Sequence, residues 1–178
     1  TRAHDYAGGV MISASHNPYE DNGIKVFAAD GAKVNDAVEA GIEKHIHQLI
    51  GTARQVDEIP NRTISAENNT GFVERYQELL LSHFPKGEWL SGMRLVVDCA
   101  NGATSVVAPG LLRRLGADVT VTHASPNGTN INSACGAVHL DSLIASMKDH
   151  TADFGVAFDG DADRSLFVSH SGRLLDGD

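Results

Sequence analysis

Cysteine is scarce in this chain: Cys99 and Cys135 are the only two among 178 residues, and they form no C-x-x-C pair. Two free thiols in a cytosolic protein are the expectation. Positive charge is also short. Fourteen Lys and Arg face 23 Asp and Glu, for a formal net charge of −9. That balance excludes a uniform basic footprint for nucleic acid. No apolar run approaches the roughly 20 residues a membrane-spanning helix needs. No secretory signal is visible, and the chain opens at Thr1 in mid-pattern, so the native start is expected upstream. What remains is ordinary for a globular protein, with 42% apolar and 21% charged residues. An acidic protein that handled phosphates would need local positive charge or a metal to offset repulsion.

The apolar run Gly9-Val10-Met11-Ile12 predicts a buried strand, ending at the polar loop Ser13-Ala14-Ser15-His16-Asn17-Pro18. Ile24 to Ala28 predicts a second strand, followed by a tight turn at Asp30-Gly31. Val38, Ile42, Ile46 and Leu49 recur at helical spacing and predict a helix over 36–50, with Asp36 and Glu39 as its capping pair. Residues 51–70 are polar and rich in turn formers, so they read as a connection. A helix over 71–84 should set Phe72, Tyr76, Leu79, Leu80 and Phe84 on one face, with Pro85 ending it. The pattern then changes to a βαβ unit. Its parts are strand Arg94–Asp98, a turn at Asn101-Gly102, helix Thr104–Leu115 stopped by Gly116, and strand Ala117–Thr122. A loop over 123–139, a helix over 141–149, strand Phe154–Phe158 and a hairpin at Ser171-Gly172 complete an α/β layer. The domain boundary is placed near residue 72, giving units 1–72 and 73–178.

Asp159-Gly160-Asp161-Ala162-Asp163-Arg164 carries the strongest chemical signal. Carboxylates at alternate positions of an extended segment point the same way, roughly 6–7 Å apart. A modest curl would bring their oxygens onto one centre, and three converging anions need a cation. Oxygen-only ligands select magnesium, manganese or calcium. A calcium EF-hand starting at Asp159 would want glycine sixth and glutamate twelfth, but Arg164 and His170 stand there. A solvated acidic turn is the plain alternative. Against it, the run sits at the carboxyl end of a predicted strand, where α/β folds place ligands.

Ser15 lies on the other strand-end loop. A hydrolase triad with His16 as base is disfavoured, because adjacent residues rarely reach that geometry and no G-x-S-x-G elbow is present. A phosphorylated Ser15 would instead carry nearly two negative charges and offer a further oxygen ligand to the same cation. Lys25 is a candidate proton shuttle or phosphate partner.

The run Ser13 to Pro18, continued by Asp21-Asn22-Gly23-Ile24-Lys25, resembles the active-site loop of the α-D-phosphohexomutases, and Asp159 to Arg164 resembles their metal loop. Asn130-Ile131-Asn132 and Cys135-Gly136 match one subgroup. The resemblance covers essentially the whole chain. It implies two α/β layers with mixed, mostly parallel sheets, namely the end of a first domain and nearly all of a second. It also implies that Ser15 is phosphorylated in the active enzyme and that Asp159, Asp161 and Asp163 bind one Mg2+ together with the Ser15 phosphate. Arg164 would steady the phosphoserine, and His16 and Lys25 would assist proton transfer at a sugar hydroxyl. The implied partner is a phosphosugar, glucosamine phosphate first and mannose or glucose phosphate as alternatives, in an enzyme expected to be cytoplasmic; the oligomeric state is left open, a homodimer at full length being one option. Family members have four domains, so the chain alone is expected to be inactive. Two departures stand out. Ala162 replaces a common glycine, and Ala137-Val138-His139 stands where a serine–threonine–histidine run is expected.

Overall fold

The computed structural model describes residues 1–51 and 70–175, so the connection expected at 51–70 lies almost wholly outside the described residues. The chain divides into two compact units, and the serine loop belongs to the second: Ser13–Gly23 groups with the C-terminal part rather than with the strands on either side of it.

In the first unit, β1 (Gly8–Ser13) pairs with β2 (Gly23–Ala28) in a two-stranded sheet. The expected burial of the β1 run is corrected, since Val10 is 69% and Ile12 71% exposed. A four-residue apolar run normally signals cover on both faces, and a two-stranded ribbon provides little. The Asp30-Gly31 turn forms as expected. Gly31 sits at φ 85°, and Asp30 Oδ1 accepts the Ala32 N–H at 2.9 Å. Helix α1 (Asp36–Gly51) follows. Its cap is Asn35 rather than the Asp36–Glu39 pair, because Asn35 Oδ1 accepts the Val38 N–H at 3.0 Å. Glu39 instead pairs with Lys33 at 3.1 Å.

In the second unit, α2 (Thr70–Ser82) turns an unexpected side inward. Tyr76 and Leu79 are exposed, whereas Gln77 is buried and donates to the Val107 carbonyl at 2.9 Å. A long polar side chain that finds a backbone acceptor can be buried at little cost, and this one closes on the start of a neighbouring helix.

The remaining strands, β3 (Arg94–Asp98), β4 (Asp118–Thr122), β5 (Phe154–Phe158), β6 (Ser165–Ser169) and β7 (Leu174–Leu175), form one sheet in the order β4-β3-β5-β6-β7. β3 is parallel to β4 and to β5, and the outer pairings β5–β6 and β6–β7 are antiparallel. The helix expected over 104–115 is split into a 3-10 turn at Ala103–Val106 and α3 (Ala108–Arg114). Pro109 causes the break: it lacks an N–H and its ring suits only a first turn. α4 (Asp141–Asp149) lies where predicted.

Alternation along β3 sends its side chains to opposite faces, as the pleat requires. Leu95, Val97 and Cys99 pack with Ala108, Val119 and Val156 on one side. Val96 packs with Leu143, Met147, Ala157 and Val168 on the other. The chain leaves β3 for β4 on one flank and returns to β5 on the other. The carboxyl ends of β3 and β5 therefore flank the point where strand order reverses, the place where such sheets bind ligands.

Asp98 ends β3 fully buried and organises the loops there. Its Oδ1 accepts the Ala100 N–H at 2.9 Å and its Oδ2 the Gly136 N–H at 3.0 Å. Gly136 has φ 73°, and an added Cβ would meet the Phe158 carbonyl oxygen at 2.5 Å and the Ala100 Cβ at 2.6 Å. Gly136→Ala should lower unfolding free energy by about 2–4 kcal/mol, combining left-handed strain and overpacking. Urea unfolding measures it, and an unchanged midpoint would contradict this packing.

Candidate metal centre

The acidic loop follows β5 directly. Asp159, Asp161 and Asp163 each present a carboxylate oxygen, and these lie within 4.8 Å of one another. Asp159 is fully buried, while Asp163 is exposed. Gly160 must be glycine for contact reasons: a Cβ there would meet the Ser15 carbonyl oxygen at 2.5 Å and Asn132 Nδ2 at 2.9 Å. Its own carbonyl accepts the Ala103 N–H at 2.9 Å. Ala162, where glycine is usual, adopts φ 65°. The departure seen in the sequence therefore falls on a left-handed residue and carries roughly 1–2 kcal/mol of strain.

Arg164 turns back on the loop. Its Nε donates to Asp159 Oδ2 at 3.1 Å, its backbone N–H to Asp159 Oδ1 at 3.2 Å, and Nε lies 3.7 Å from Asp163 Oδ1. The Asp163 carboxyl is nonetheless pushed above its ordinary range. A hydrogen bond with Asp159 is the first cause, then loss of hydration and the charges of Asp159 and Asp161, with Arg164 opposing. One guanidinium therefore does not neutralise the cluster. The donor set consists of hard oxygens, converging, with excess negative charge, and it fits a hard divalent cation.

The serine loop touches this centre through Ser13, a residue the sequence reading passed over. Ser13 Oγ donates to Asp161 Oδ2 at 3.1 Å and accepts the Ser15 N–H at 3.0 Å. A serine two positions before another is the side-chain-to-backbone spacing of an ST turn, which is the signal that could have found it. Ser15 is half-buried with φ 51°, and its Oγ lies 3.4 Å from His16 Nδ1. Asn132 was singled out only as a subgroup marker; here its Nδ2 donates to the carbonyls of Ser15 at 2.8 Å and Asn17 at 2.9 Å. Lys25 is on β2 in the first unit.

Asp98, His123 and Cys135 form a second group within 4.8 Å. Both Asp98 oxygens already accept backbone N–H groups, and His123 Nδ1 sits 3.1 Å from Oδ2 as an ion-pair contact rather than an aligned hydrogen bond. Burial, reinforced by the Asp98 charge, pushes the Cys135 thiol up to about 11. With both Asp98 oxygens committed to backbone N–H groups, this group ties loops together.

The acidic loop lies at the switch point of the mixed α/β sheet, the serine loop follows β1 and groups with the same unit, and the two define an α/β protein with a candidate divalent-cation site. Residues 1–51 match phosphoglucomutase/phosphomannomutase alpha/beta/alpha domain I, and residues 71–172 match domain II of the same family. The chain belongs to the phosphoglucomutase/phosphomannomutase family. It is 47% identical over 178 residues to a phosphoglucosamine mutase of Pseudomonas paraeruginosa, covering all of this chain and 39% of that protein. The crystal structure of a phosphoglucomutase/phosphomannomutase family protein from Burkholderia thailandensis aligns at TM-score 0.67 and 25% identity, over 94% of this chain and 34% of that one. An Aspergillus fumigatus N-acetylphosphoglucosamine mutase, in complex with GlcNAc-6P and magnesium, shares the fold at TM-score 0.50 and 20% identity, over 99% and 46%. The chain thus spans about two fifths of the curated relative's length.

Two outcomes are expected. Ala162→Gly removes left-handed strain and should stabilise the chain by about 0.5–1 kcal/mol in urea unfolding, net of the added glycine entropy. Lower stability in that variant would show that the Ala162 methyl packs favourably. The raised Asp163 carboxyl predicts a pH-dependent response to Mg2+. Because the folded state holds this proton more tightly than the unfolded chain, the group's stabilisation is full below the ordinary carboxylate range. It is lost as pH rises through the raised value. A divalent cation bound at these carboxylates would replace that proton, so Mg2+ should raise the melting temperature more at about pH 7 than at about pH 4. Asp163→Asn should weaken Mg2+ binding at least about tenfold. An equal Mg2+ effect at both pH values would argue against binding at these carboxylates.

Proposed function

We propose that this chain is the phosphoserine- and metal-bearing part of a phosphoglucosamine mutase, interconverting glucosamine 6-phosphate and glucosamine 1-phosphate. One observation carries the reading: the Ser13 hydroxyl bridges the Ser15 N–H and the Asp161 carboxylate, so the candidate phosphoryl carrier and the cation cradle are coupled within one unit. A phosphate on Ser15 would add nearly two negative charges to this region. Such a state is stable only with a cation between phosphate and carboxylates.

In the proposed reaction, the bond from phosphorus to Ser15 Oγ breaks as a bond from phosphorus to a sugar hydroxyl oxygen forms. The hydroxyl proton passes to a base, for which His16 and Lys25 are the candidates. Ser15 Oγ takes up a proton from its surroundings as it leaves phosphorus; the resulting sugar bisphosphate then returns its other phosphoryl group to Ser15 Oγ, which gives up that proton as the departing sugar oxygen gains one. The sugar leaves with its phosphate moved and the enzyme rephosphorylated, so atoms balance. Asp159, Asp161 and Asp163 would hold Mg2+, which when bound neutralises phosphate charge and favours transfer. Arg164 orients the buried Asp159 carboxylate through two N–H bonds, and is also proposed to steady the phosphoserine.

The subgroup choice is supported by the 47% identity to a phosphoglucosamine mutase. A sugar phosphate as ligand is supported by the GlcNAc-6P complex of the fungal relative. Phosphomannomutase or phosphoglucomutase activity is the second reading, favoured by the family description itself. Among the described residues no helix is long and apolar enough to cross a membrane. Both cysteines are free and buried, which suits the reducing cytoplasm we propose as its location.

The deciding experiment is intact mass of the full-length protein before and after incubation with glucose 1,6-bisphosphate. A gain of one phosphoryl group is expected, and Ser15→Ala should abolish it while lowering kcat/KM by about 10^3-fold or more, roughly 4 kcal/mol. Retention of the phosphoryl group in Ser15→Ala would sink the assignment. Parallel assays on glucosamine, mannose and glucose phosphates decide between the two readings.

A further inference from the structure

We infer that Asn132 is a positioning residue for phosphoryl transfer at Ser15, aiming the serine side chain from the second-domain loop; the inference rests on the reaction proposed above. Asn132 is 7% exposed. Both hydrogens of its side-chain amide are committed to carbonyls of the serine loop, Ser15 O at 2.8 Å and Asn17 O at 2.9 Å. That commitment sets the amide's orientation, since an oxygen in the same place would face two carbonyl oxygens. Asn132 Oδ1 is left buried without a hydrogen-bond partner. Native proteins rarely tolerate that, and where they do a reason is wanted.

The reason lies in what the two donated bonds do. The direction of a residue's Cα–Cβ bond follows from the planes of its two flanking peptides. At Ser15 the preceding peptide is held by its N–H on Ser13 Oγ, and the following one by its C=O on Asn132 Nδ2. Ser15 is also in the left-handed region at φ 51°, which a serine does not keep unaided. Two opposed hydrogen bonds, one tied to Asp161 and one to Asn132, therefore hold a strained residue in one backbone conformation and fix the direction of its Cα–Cβ bond, from which Oγ projects.

Asn132 is itself rigidly held. Its backbone N–H donates to the Ala100 carbonyl at 2.9 Å, and the Ala100 N–H donates to the buried Asp98 at 2.9 Å. Its own φ of 56° is one that asparagine accepts more readily than most residues. A continuous line of hydrogen bonds thus runs from the end of β3 to the carbonyl of Ser15. Gly160 closes the junction from the metal loop, with no room for a side chain between Ser15 O and Asn132 Nδ2. Asn132 touches no reacting atom in this scheme; it acts through the Ser15 backbone.

The test uses the full-length protein with N132G, which tolerates the positive φ but lacks the amide, and N132D, which keeps size and φ tolerance but presents oxygen to both carbonyls. Ser15 phosphorylation from glucose 1,6-bisphosphate is followed by intact mass in a single turnover, beside steady-state kinetics, Mg2+ titration and melting. Both variants should phosphorylate about 10- to 100-fold more slowly, as a displacement near 1 Å would cause. The loss should fall in kcat, with KM and Mg2+ affinity within about twofold of wild type, and amides of residues 13–17 should exchange faster with solvent. Wild-type rates in either folded variant would overturn the inference. So would a loss of rate, Mg2+ affinity and melting temperature together, which marks a purely structural role. A wild-type protein that takes up no phosphoryl group would sink the reaction itself; a phosphorylating wild type with unaffected variants sinks this inference alone.

Discussion

Mutual repulsion among three carboxylates is the constraint around which the second unit's functional end is arranged. Asp159, Asp161 and Asp163 are brought within 4.8 Å by a loop only five residues long, with a single arginine turned back on it. The loop tolerates this because each carboxylate meets a different surrounding. Asp159 is buried but takes two N–H bonds from Arg164, Asp161 takes the Ser13 hydroxyl, and Asp163 is left towards solvent with its proton held more tightly. The residual negative charge is what a divalent cation would offset. The serine loop is fastened to the same carboxylates, so whatever offsets that charge also bears on Ser15.

Two buried aspartates at neighbouring strand ends show how surroundings assign a role. Asp98 ends β3 and Asp159 follows β5, and both are fully buried. Asp98 is saturated by Ala100 and Gly136 N–H groups with His123 alongside, so its charge is spent on shaping loops. Asp159 is paired with an exposed arginine and sits next to two further carboxylates. Residue type and burial are the same in the two cases. The partners make one a structural hub and the other a member of the candidate cation site.

Much of this was legible in the sequence, for reasons that can be named. The βαβ strands, α4 and the Ser171-Gly172 hairpin come from short apolar runs bounded by turn residues, and the parallel pairing of β3 with β4 and β5 buries both their faces. The carboxylate cluster was legible because alternate spacing is a local property. The misreadings share a different cause. Val10 and Ile12 have the pattern of a buried strand, but cover depends on neighbours that a strand's own residues do not encode. Gln77 goes inward because a carbonyl 30 residues away accepts from it. Pro109 divides the expected helix because a residue without an N–H fits only a first turn, whatever the apolar spacing around it. Ser13, Asn132 and Asp98 escaped notice as site residues because their importance lies in hydrogen bonds to backbone groups far along the chain, which leave no trace in periodicity.

The two buried thiols carry a consequence of their own. Cys135 adjoins Gly136, which Asp98 holds, and sits 3.9 Å from the Asn101 amide, in the loop that also supplies Asn132. With its thiol pushed up to about 11 by burial, Cys135 carries little of the reactive thiolate near neutral pH. Alkylating reagents and peroxides are thus nearly blind to Cys135 while the loop is seated. Were the loop to lift away, the sulfur would become reachable, so its rate of labelling would time how often the serine's support opens.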